Sequence, residues 1–157
     1  MKAMLDTNVL IDVLNQREPF FADSKRIFQL VKEKKIDGFV SVQSLKDIFY
    51  IFKKAGGRKT DPFKPIEAIS FLFNIVDVTA EDSFSALMSE MEDYEDALIA
   101  FSALRNGINF IITRNKKDYG VSDIIPIEPS EIDKYLGKEV RTGEYMIELD
   151  ILRENKL

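Results

Sequence analysis

The sequence of 157 residues contains no cysteine and no histidine. The lack of cysteine excludes disulfides and thiolate chemistry, and it suits a cytoplasmic protein. The lack of histidine excludes imidazole acid–base catalysis and any Ser-His-Asp triad. A metal ion bound by these side chains must therefore be held by oxygen atoms, which favours Mg²⁺ or Mn²⁺ over zinc.

Long hydrophobic runs are also absent, since no apolar stretch approaches the roughly 20 residues that span a bilayer. The N-terminus has one lysine before Asp6 and lacks the basic and apolar regions of a signal peptide. We therefore expect a cytoplasmic protein without a membrane segment. The net charge of −5 argues mildly against non-specific nucleic-acid binding. Two local basic clusters, at 53–59 and 114–117, are either solvated loops or contacts for a phosphate backbone.

Apolar runs typical of strands alternate with segments that have helical spacing. This alternation favours right-handed βαβ crossovers and a parallel sheet covered on both faces. The runs lack polar alternation, as expected of buried parallel strands. We predict strands at 1–5, 39–42, 75–78, 109–113 and 123–127, a turn at 37–38, and helices at 9–14, 22–35, 43–54, 65–74, from 79 onward, at 93–105 and at 129–136.

Acidic and amide side chains recur where predicted strands end and helices begin. The carboxyl ends of parallel strands fall on one edge of a sheet, so these side chains can converge although they are far apart in sequence. Converging carboxylates repel one another unless a cation or protons neutralise them. A hard divalent ion is the natural occupant, and it favours phosphodiester hydrolysis. The candidates are Asp6, Asp47, Asp93, Glu95, Asp96, Asn115 and Asp118.

Each candidate also has a purely structural interpretation. Asp6 can cap the following helix, and Asp118 can cap a turn. Asp47 can be an ordinary surface charge, while Asp93 can stabilise a helix dipole. Asp96 fits such an explanation least well, because the helix that follows it is apolar.

Four stretches, 4–11, 41–48, 93–99 and 111–119, resemble a PIN domain, the nuclease fold that includes the VapC toxins of toxin–antitoxin pairs. They occur in the family's order, and the resemblance covers roughly residues 2–136. The first and third stretches are specific only in combination. The resemblance implies a three-layer α/β/α sandwich with a central parallel sheet of four to five strands. We expect a PIN-like nuclease domain at 1–137 and a C-terminal extension of unknown role at 138–157.

The resemblance also implies a metal-dependent ribonuclease whose catalytic acids are Asp6, Asp47 and Asp96. Asp47 stands where the family usually has glutamate, and Asn115 where many members have aspartate. The expected Mg²⁺ or Mn²⁺ ligands are Asp6, Asp47, Asp96, Asn115, Asp93 and Asp118, supported by Thr7, Asn8 and Thr113. The expected RNA contacts are Lys53, Lys54, Arg58, Lys59, Arg114, Lys116 and Lys117.

The leading functional hypothesis is an endoribonuclease that is the toxin of a toxin–antitoxin pair. It predicts an antitoxin segment that blocks the acidic cleft, and a homodimer formed through apolar helices. A non-catalytic PIN-like module that binds RNA or protein is the alternative. A phosphatase for small phosphate esters is disfavoured, because the first strand is followed by Asp6-Thr7-Asn8, in which asparagine stands in place of the second aspartate of Asp-x-Asp. Candidates for the dimer surface are Phe49, Tyr50 and Phe52, or Phe71 and Phe73.

Overall fold

The computed structural model describes residues 1–56 and 61–136, which form a five-stranded parallel sheet with helices on both faces. The predicted α/β/α fold is confirmed, and the sheet has five strands. The elements are β1 (Lys2–Leu5), α1 (Thr7–Leu14), α2 (Phe21–Lys32), β2 (Asp37–Ser41), α3 (Val42–Gly56), α4 (Phe63–Leu72), β3 (Asn74–Val76), α5 (Ala80–Met88), α6 (Tyr94–Arg105), β4 (Phe110–Ile112), a 3-10 helix at Lys116–Tyr119, β5 (Ile125–Ile127) and a 3-10 helix at Pro129–Lys134.

Strand β1 lies at the centre of the sheet, whose order is β3-β2-β1-β4-β5. Leu5 at the end of β1 pairs with Ile112 at the end of β4. The backbone N–H of Asp6 donates to the carbonyl of Ile112 at 3.0 Å and extends this pairing. The residues that follow the two strands, Asp6 and Thr113, are therefore neighbours at one edge of the sheet.

The two faces of the sheet carry separate hydrophobic layers, because successive strand residues point to opposite sides. Leu5 and Ile112 belong to the layer packed by α1–α4 and the last 3-10 helix. Met4 and Ile111 belong to the layer packed mainly by α6. Fully buried side chains of the first layer include Leu10, Ile27, Leu30, Ile48 and Ile69.

The start of β2 differs from its prediction. Asp37 and Gly38 were expected to form a turn, but both are strand residues that pair with Lys2 and Ala3. An added Cβ at Gly38 would lie 2.8 Å from a side-chain atom of Phe73, so the glycine serves close packing. The close approach of the Phe73 ring explains why a glycine stands in this strand, and local sequence does not encode that approach.

Helix boundaries followed local signals more closely. Thr79 caps α5 in a capping box with Asp82, as predicted. Gly107 follows α6 with φ of +66°, a conformation that glycine adopts readily.

Val42, expected in a strand, instead begins α3. The serine hydroxyl at Ser41 accepts a hydrogen bond from the backbone two residues later and starts the helix early.

Within the described ranges, no helix has both the length and the apolar character that a bilayer span requires. The proposed extension at 138–157 lies outside the described residues. The division of the chain at residue 137 therefore stays a prediction.

Replacing Gly38 with alanine should destabilise the fold. The new methyl group would overlap with Phe73 and with Val31, since a side-chain atom of each would lie 2.8 Å from the added Cβ. Overpacking of this kind costs about 1–3 kcal/mol of unfolding free energy. Urea denaturation of Gly38→Ala measures the loss. The double variant Gly38→Ala with Phe73→Leu should lose less unfolding free energy than the sum of the losses in the two single variants. An unchanged unfolding midpoint in Gly38→Ala would contradict the close approach.

Candidate functional site

The Asp6 carboxylate is buried at the carboxyl end of β1 and is held by two neutral side chains. The hydroxyl of Thr113 donates to its Oδ2 at 2.7 Å, and Nδ2 of Asn8 donates to the same oxygen at 2.6 Å. Asp6 occupies the N-cap position of α1, but its side chain makes no capping hydrogen bond there. Its carboxylate is therefore bonded both across the sheet edge, to Thr113, and to the side chain of Asn8 in the first turn of α1.

This arrangement also fixes the loop after β4. Thr113 Oγ1 accepts from the backbone N–H of Asn115 at 3.0 Å. The side-chain oxygen of Asn8 accepts from the backbone N–H of Arg114 at 3.4 Å. On the other side, Thr7 donates to Ser44 of α3 at 2.8 Å. The Asp-Thr-Asn motif thus joins β1, β4 and α3.

Asp96 lies in the first turn of α6, facing the same edge. Asp93 is the N-cap of this helix, and its Oδ1 accepts from the backbone N–H groups of Glu95 and Asp96 at 2.8 and 3.0 Å. The hydroxyl of the buried Tyr119 donates to Asp96 Oδ1 at 3.1 Å. Tyr119 therefore fixes the orientation of one oxygen of this carboxylate.

The carboxylates near this edge repel one another. Burial raises the pKa of Asp96 to about 7, and the negative charges of Asp6, Asp93 and Asp118 add to the rise. Burial likewise raises the pKa of Asp6, with a smaller contribution from Asp118, while hydrogen bonds from Thr113 and nearby backbone N–H groups oppose it. The charges of Asp6, Asp93 and Asp118 thus all act on the Asp96 carboxyl group.

An open cleft of about 690 Å³ gives access to this cluster. Asp93, Asp96 and Asp118 line it together with Lys117, while Asp6 lies deeper. A concave surface lined by a carboxyl group of raised pKa, here Asp96, is a common setting for catalysis or ligand binding.

Asp47 and Asn115 are placed less directly. Asp47 lies one turn after Ser44 on α3, and its Oδ1 is 3.1 Å from Lys46 Nζ. Asn115 is exposed, and its backbone, rather than its side chain, makes the contact with Thr113. In the parts of the chain that the structure describes, no three acidic residues are already arranged to hold a metal ion. The metal-binding roles of these residues stay predictions.

The expected RNA contacts fall into distinct environments. Arg114 Nε lies 2.9 Å from the fully buried Asp12, and the guanidinium stacks 4.2 Å above the Phe20 ring. Lys116 Nζ is paired with Glu131 at 2.8 Å. Those two cations would have to leave internal partners to bind phosphate, whereas Lys117 lines the cleft. Lys53 and Lys54 are exposed in the last turn of α3, and Arg58 and Lys59 lie outside the described residues.

Two residues of this site were not assigned roles from the sequence. Tyr119 looks like a core aromatic in sequence, and nothing in its spacing indicates a bond to Asp96, 23 residues earlier. Ser44 lies inside an amphipathic helix, where its spacing indicates no particular role. A fully buried polar residue there needs a partner, and Thr7 supplies it.

Replacing Tyr119 with phenylalanine should raise the pKa of Asp96 above about 7. The tyrosine hydroxyl stabilises the ionised carboxylate, and its removal leaves burial and like charges unopposed. Carboxyl-carbon NMR titration of the metal-free protein measures the change. Tyr50→Phe, which loses a hydroxyl from an exposed ring, should leave the Asp96 titration where it is. A wild-type titration curve for Tyr119→Phe would argue against the hydrogen bond.

The metal-free protein should lose stability as the pH rises from about 4 to 7. In this window Asp96 keeps its proton in the folded protein, whereas in the unfolded chain it ionises near 3.8. Folding then binds an extra proton, so stability decreases as the pH rises. Thermal unfolding in EDTA should show this trend, and Asp96→Asn should flatten it. The exposed Asp123→Asn is the matched control and should retain the wild-type slope; an equally steep slope in Asp96→Asn would refute the assignment.

Solved structures with the same architecture include VapBC2 from Rickettsia felis bound to a promoter DNA fragment. The identity is 20%, the match covers 82% of this chain and 98% of that one, and the TM-score is 0.63. DNA-bound VapBC from Salmonella typhimurium is 18% identical, with coverage of 82% and 98% and a TM-score of 0.58. VapC20 of Mycobacterium tuberculosis, a toxin that cleaves the sarcin-ricin loop, is 15% identical, with coverage of 79% and 99% and a TM-score of 0.56.

Comparison with curated protein sequences gave no match. A family model described as PIN domain matches residues 2–117, nearly three quarters of the chain. The matched region extends from the first strand to the loop after β4 and contains Asp6, Asp96 and Thr113. With this match and the shared architecture, the chain belongs to the PIN domain family.

Proposed function

We propose that this PIN domain is a Mg²⁺- or Mn²⁺-dependent endoribonuclease and the toxin of a toxin–antitoxin pair. The observation that carries the proposal is the cluster of Asp6, Asp96 and Asp118, in which the charges of Asp6 and Asp118 add to the raised pKa of Asp96 and the charge of Asp118 adds to that of Asp6. PIN domains are generally nucleases. Similar folds occur in a toxin described as cleaving the sarcin-ricin loop and in VapBC complexes, which supports an RNA substrate and an antitoxin partner here.

The chemistry of the donors fits a hard divalent cation. Asp6, Asp96 and Asp118 offer oxygen atoms, and the chain has no histidine or cysteine to favour a softer metal. Because burial and repulsion raise the pKa of Asp96, a cation would lower the free energy of its ionised form. When bound, such an ion lowers the pKa of water and stabilises charge on a phosphate under attack.

The chain's own residues would perform complementary tasks. Thr113 and Asn8 hold the Asp6 carboxylate in one orientation, leaving its Oδ1 without a side-chain donor among the described hydrogen bonds. Tyr119 does the same for Asp96 through Oδ1. Lys117 adds a positive charge at the cleft wall, suited to a phosphate. No side chain is proposed as a covalent nucleophile.

The alternative is a PIN module that binds RNA or protein without cutting. Asp47 stands where the family usually has the longer glutamate, and its oxygen is 3.1 Å from Lys46 rather than bonded to the cluster. Asn115 supplies no negative charge. Both departures from the family pattern favour weaker metal binding, and they support the non-catalytic module as the alternative.

The toxin hypothesis extends to assembly and location. We expect a homodimer, an antitoxin segment that blocks the acidic cleft, and a cytoplasmic location. Among the candidate dimer residues, Tyr50 and Phe71 are exposed, whereas Phe73 is buried in the core. Phe71 is therefore the most accessible candidate for a dimer contact.

The purified protein should cut structured RNA with Mn²⁺ or Mg²⁺ and stop when EDTA is added. Asp6→Asn and Asp96→Asn should each lower the rate on the order of 100-fold or more, because each removes a negative charge needed by the cation. Gel analysis of end-labelled RNA measures the cleavage.

Asp123→Asn makes the same chemical change at an exposed position that does not line the cleft, and it should retain full activity. If Asp6→Asn cuts RNA at the same rate as the wild type, the activity comes from a contaminating nuclease. RNA binding without any cutting by the folded wild type would favour the non-catalytic module.

A further inference from the structure

Helix α3 presents an exposed tyrosine between positive charges. Tyr50 is 59% exposed. Lys46 precedes it by one turn and Lys54 follows it by one turn, with Lys53 beside Lys54. Residues three and four positions apart lie on one helix face, so these four side chains form a continuous surface, here called the α3 stripe.

The tyrosine ring in this stripe has a supported position. Its centroid is 5.5 Å from that of Phe49, with the rings nearly perpendicular. Phe49 in turn contacts Phe63 of α4, at 5.2 Å between centroids. Lys53 Nζ lies 5.6 Å from the Phe49 ring centroid. Because Phe49 restricts the Tyr50 ring, less conformational freedom is lost when a ligand stacks on its open side.

The stripe begins at the rim of the acidic cluster. Lys46 Nζ is 3.1 Å from Asp47 Oδ1. Ser44, earlier on the same helix, accepts a hydrogen bond at 2.8 Å from Thr7, the residue after Asp6. Tyr50 is three residues beyond Asp47, or about 4.5 Å along the helix axis. Stacked bases are spaced about 3.4 Å apart, so this displacement corresponds to one or two bases.

We propose that the α3 stripe binds single-stranded RNA, with a base near the cleaved phosphate stacked on Tyr50 and the lysines contacting the backbone. The inference rests on the proposed ribonuclease function. Base stacking on aromatic rings combined with basic side chains is typical of single-strand binding. A duplex hides its base faces, so it cannot use Tyr50 in this way. The three lysines also provide local positive charge on an acidic protein.

Binding of a fluorescein-labelled single-stranded oligoribonucleotide, measured by anisotropy in EDTA, tests the stacking role without cleavage. Tyr50→Ala should weaken binding about 5- to 150-fold, the range expected when one stacked base is lost. Tyr50→Phe keeps the ring and should bind within about 2-fold of the wild type. Phe84→Ala is the matched control, because it removes an exposed aromatic ring from α5 on the opposite face of the sheet.

The charge contribution is tested by the salt dependence of the same binding. Lys54→Gln should reduce the slope of log affinity against log salt by about 0.7, as expected for one phosphate contact to a single strand. The affinity for duplex RNA should be insensitive to Tyr50→Ala. Thermal melting establishes that each variant is folded.

Equal single-strand binding by folded Tyr50→Ala and the wild type would overturn the stacking role. If the wild type still cuts RNA in that case, the ribonuclease proposal stands and only the α3 stripe fails. If no RNA binds or is cut by the wild type, both proposals fail. A change in oligomeric mass of Tyr50→Ala by light scattering, with unchanged RNA affinity, would instead identify the stripe as a protein interface.

Discussion

The candidate site depends on the buried carboxylate of Asp6, which two neutral donors hold in place. Thr113 and Asn8 both donate to Oδ2, from positions 107 and two residues away in sequence. The backbone of Asp6 also bonds to Ile112, so the carboxylate and its partner belong to the same edge of two paired strands. Neutral donors orient this charge without cancelling it, and the acid keeps its electrostatic influence on the residues around it.

That influence explains the chemistry of the neighbouring acids. Asp96 has a pKa raised to about 7 by burial and by the charges of Asp6, Asp93 and Asp118. Like charges that must share a partly buried edge are costly to ionise together. Under the proposed function, a divalent cation would relieve this cost by stabilising the ionised forms. Tyr119 moderates the repulsion, because its hydroxyl favours the ionised Asp96.

Positive charge is distributed in a complementary way. Arg114 and Lys116 are paired with Asp12 and Glu131, so they help to fix the loop after β4. Lys117 remains at the cleft, whereas Lys53 and Lys54 are exposed in the last turn of α3. The net charge of −5 conveys none of this local arrangement.

The parallel α/β architecture and the neighbourhood of Asp6, Asp96 and Asp118 follow from patterns in the amino-acid sequence. Apolar strand runs, caps and the common edge of parallel strands are local or topological properties, and they could be predicted. Side-chain partners depend on packing between distant segments, and spacing does not encode it. The contact of Gly38 with Phe73 depends on the folded packing, because an aromatic ring from the end of α4 fills that space. The pairs Tyr119–Asp96, Thr7–Ser44 and Arg114–Asp12 likewise depend on the fold, since each joins elements whose relative rotation is set by the core.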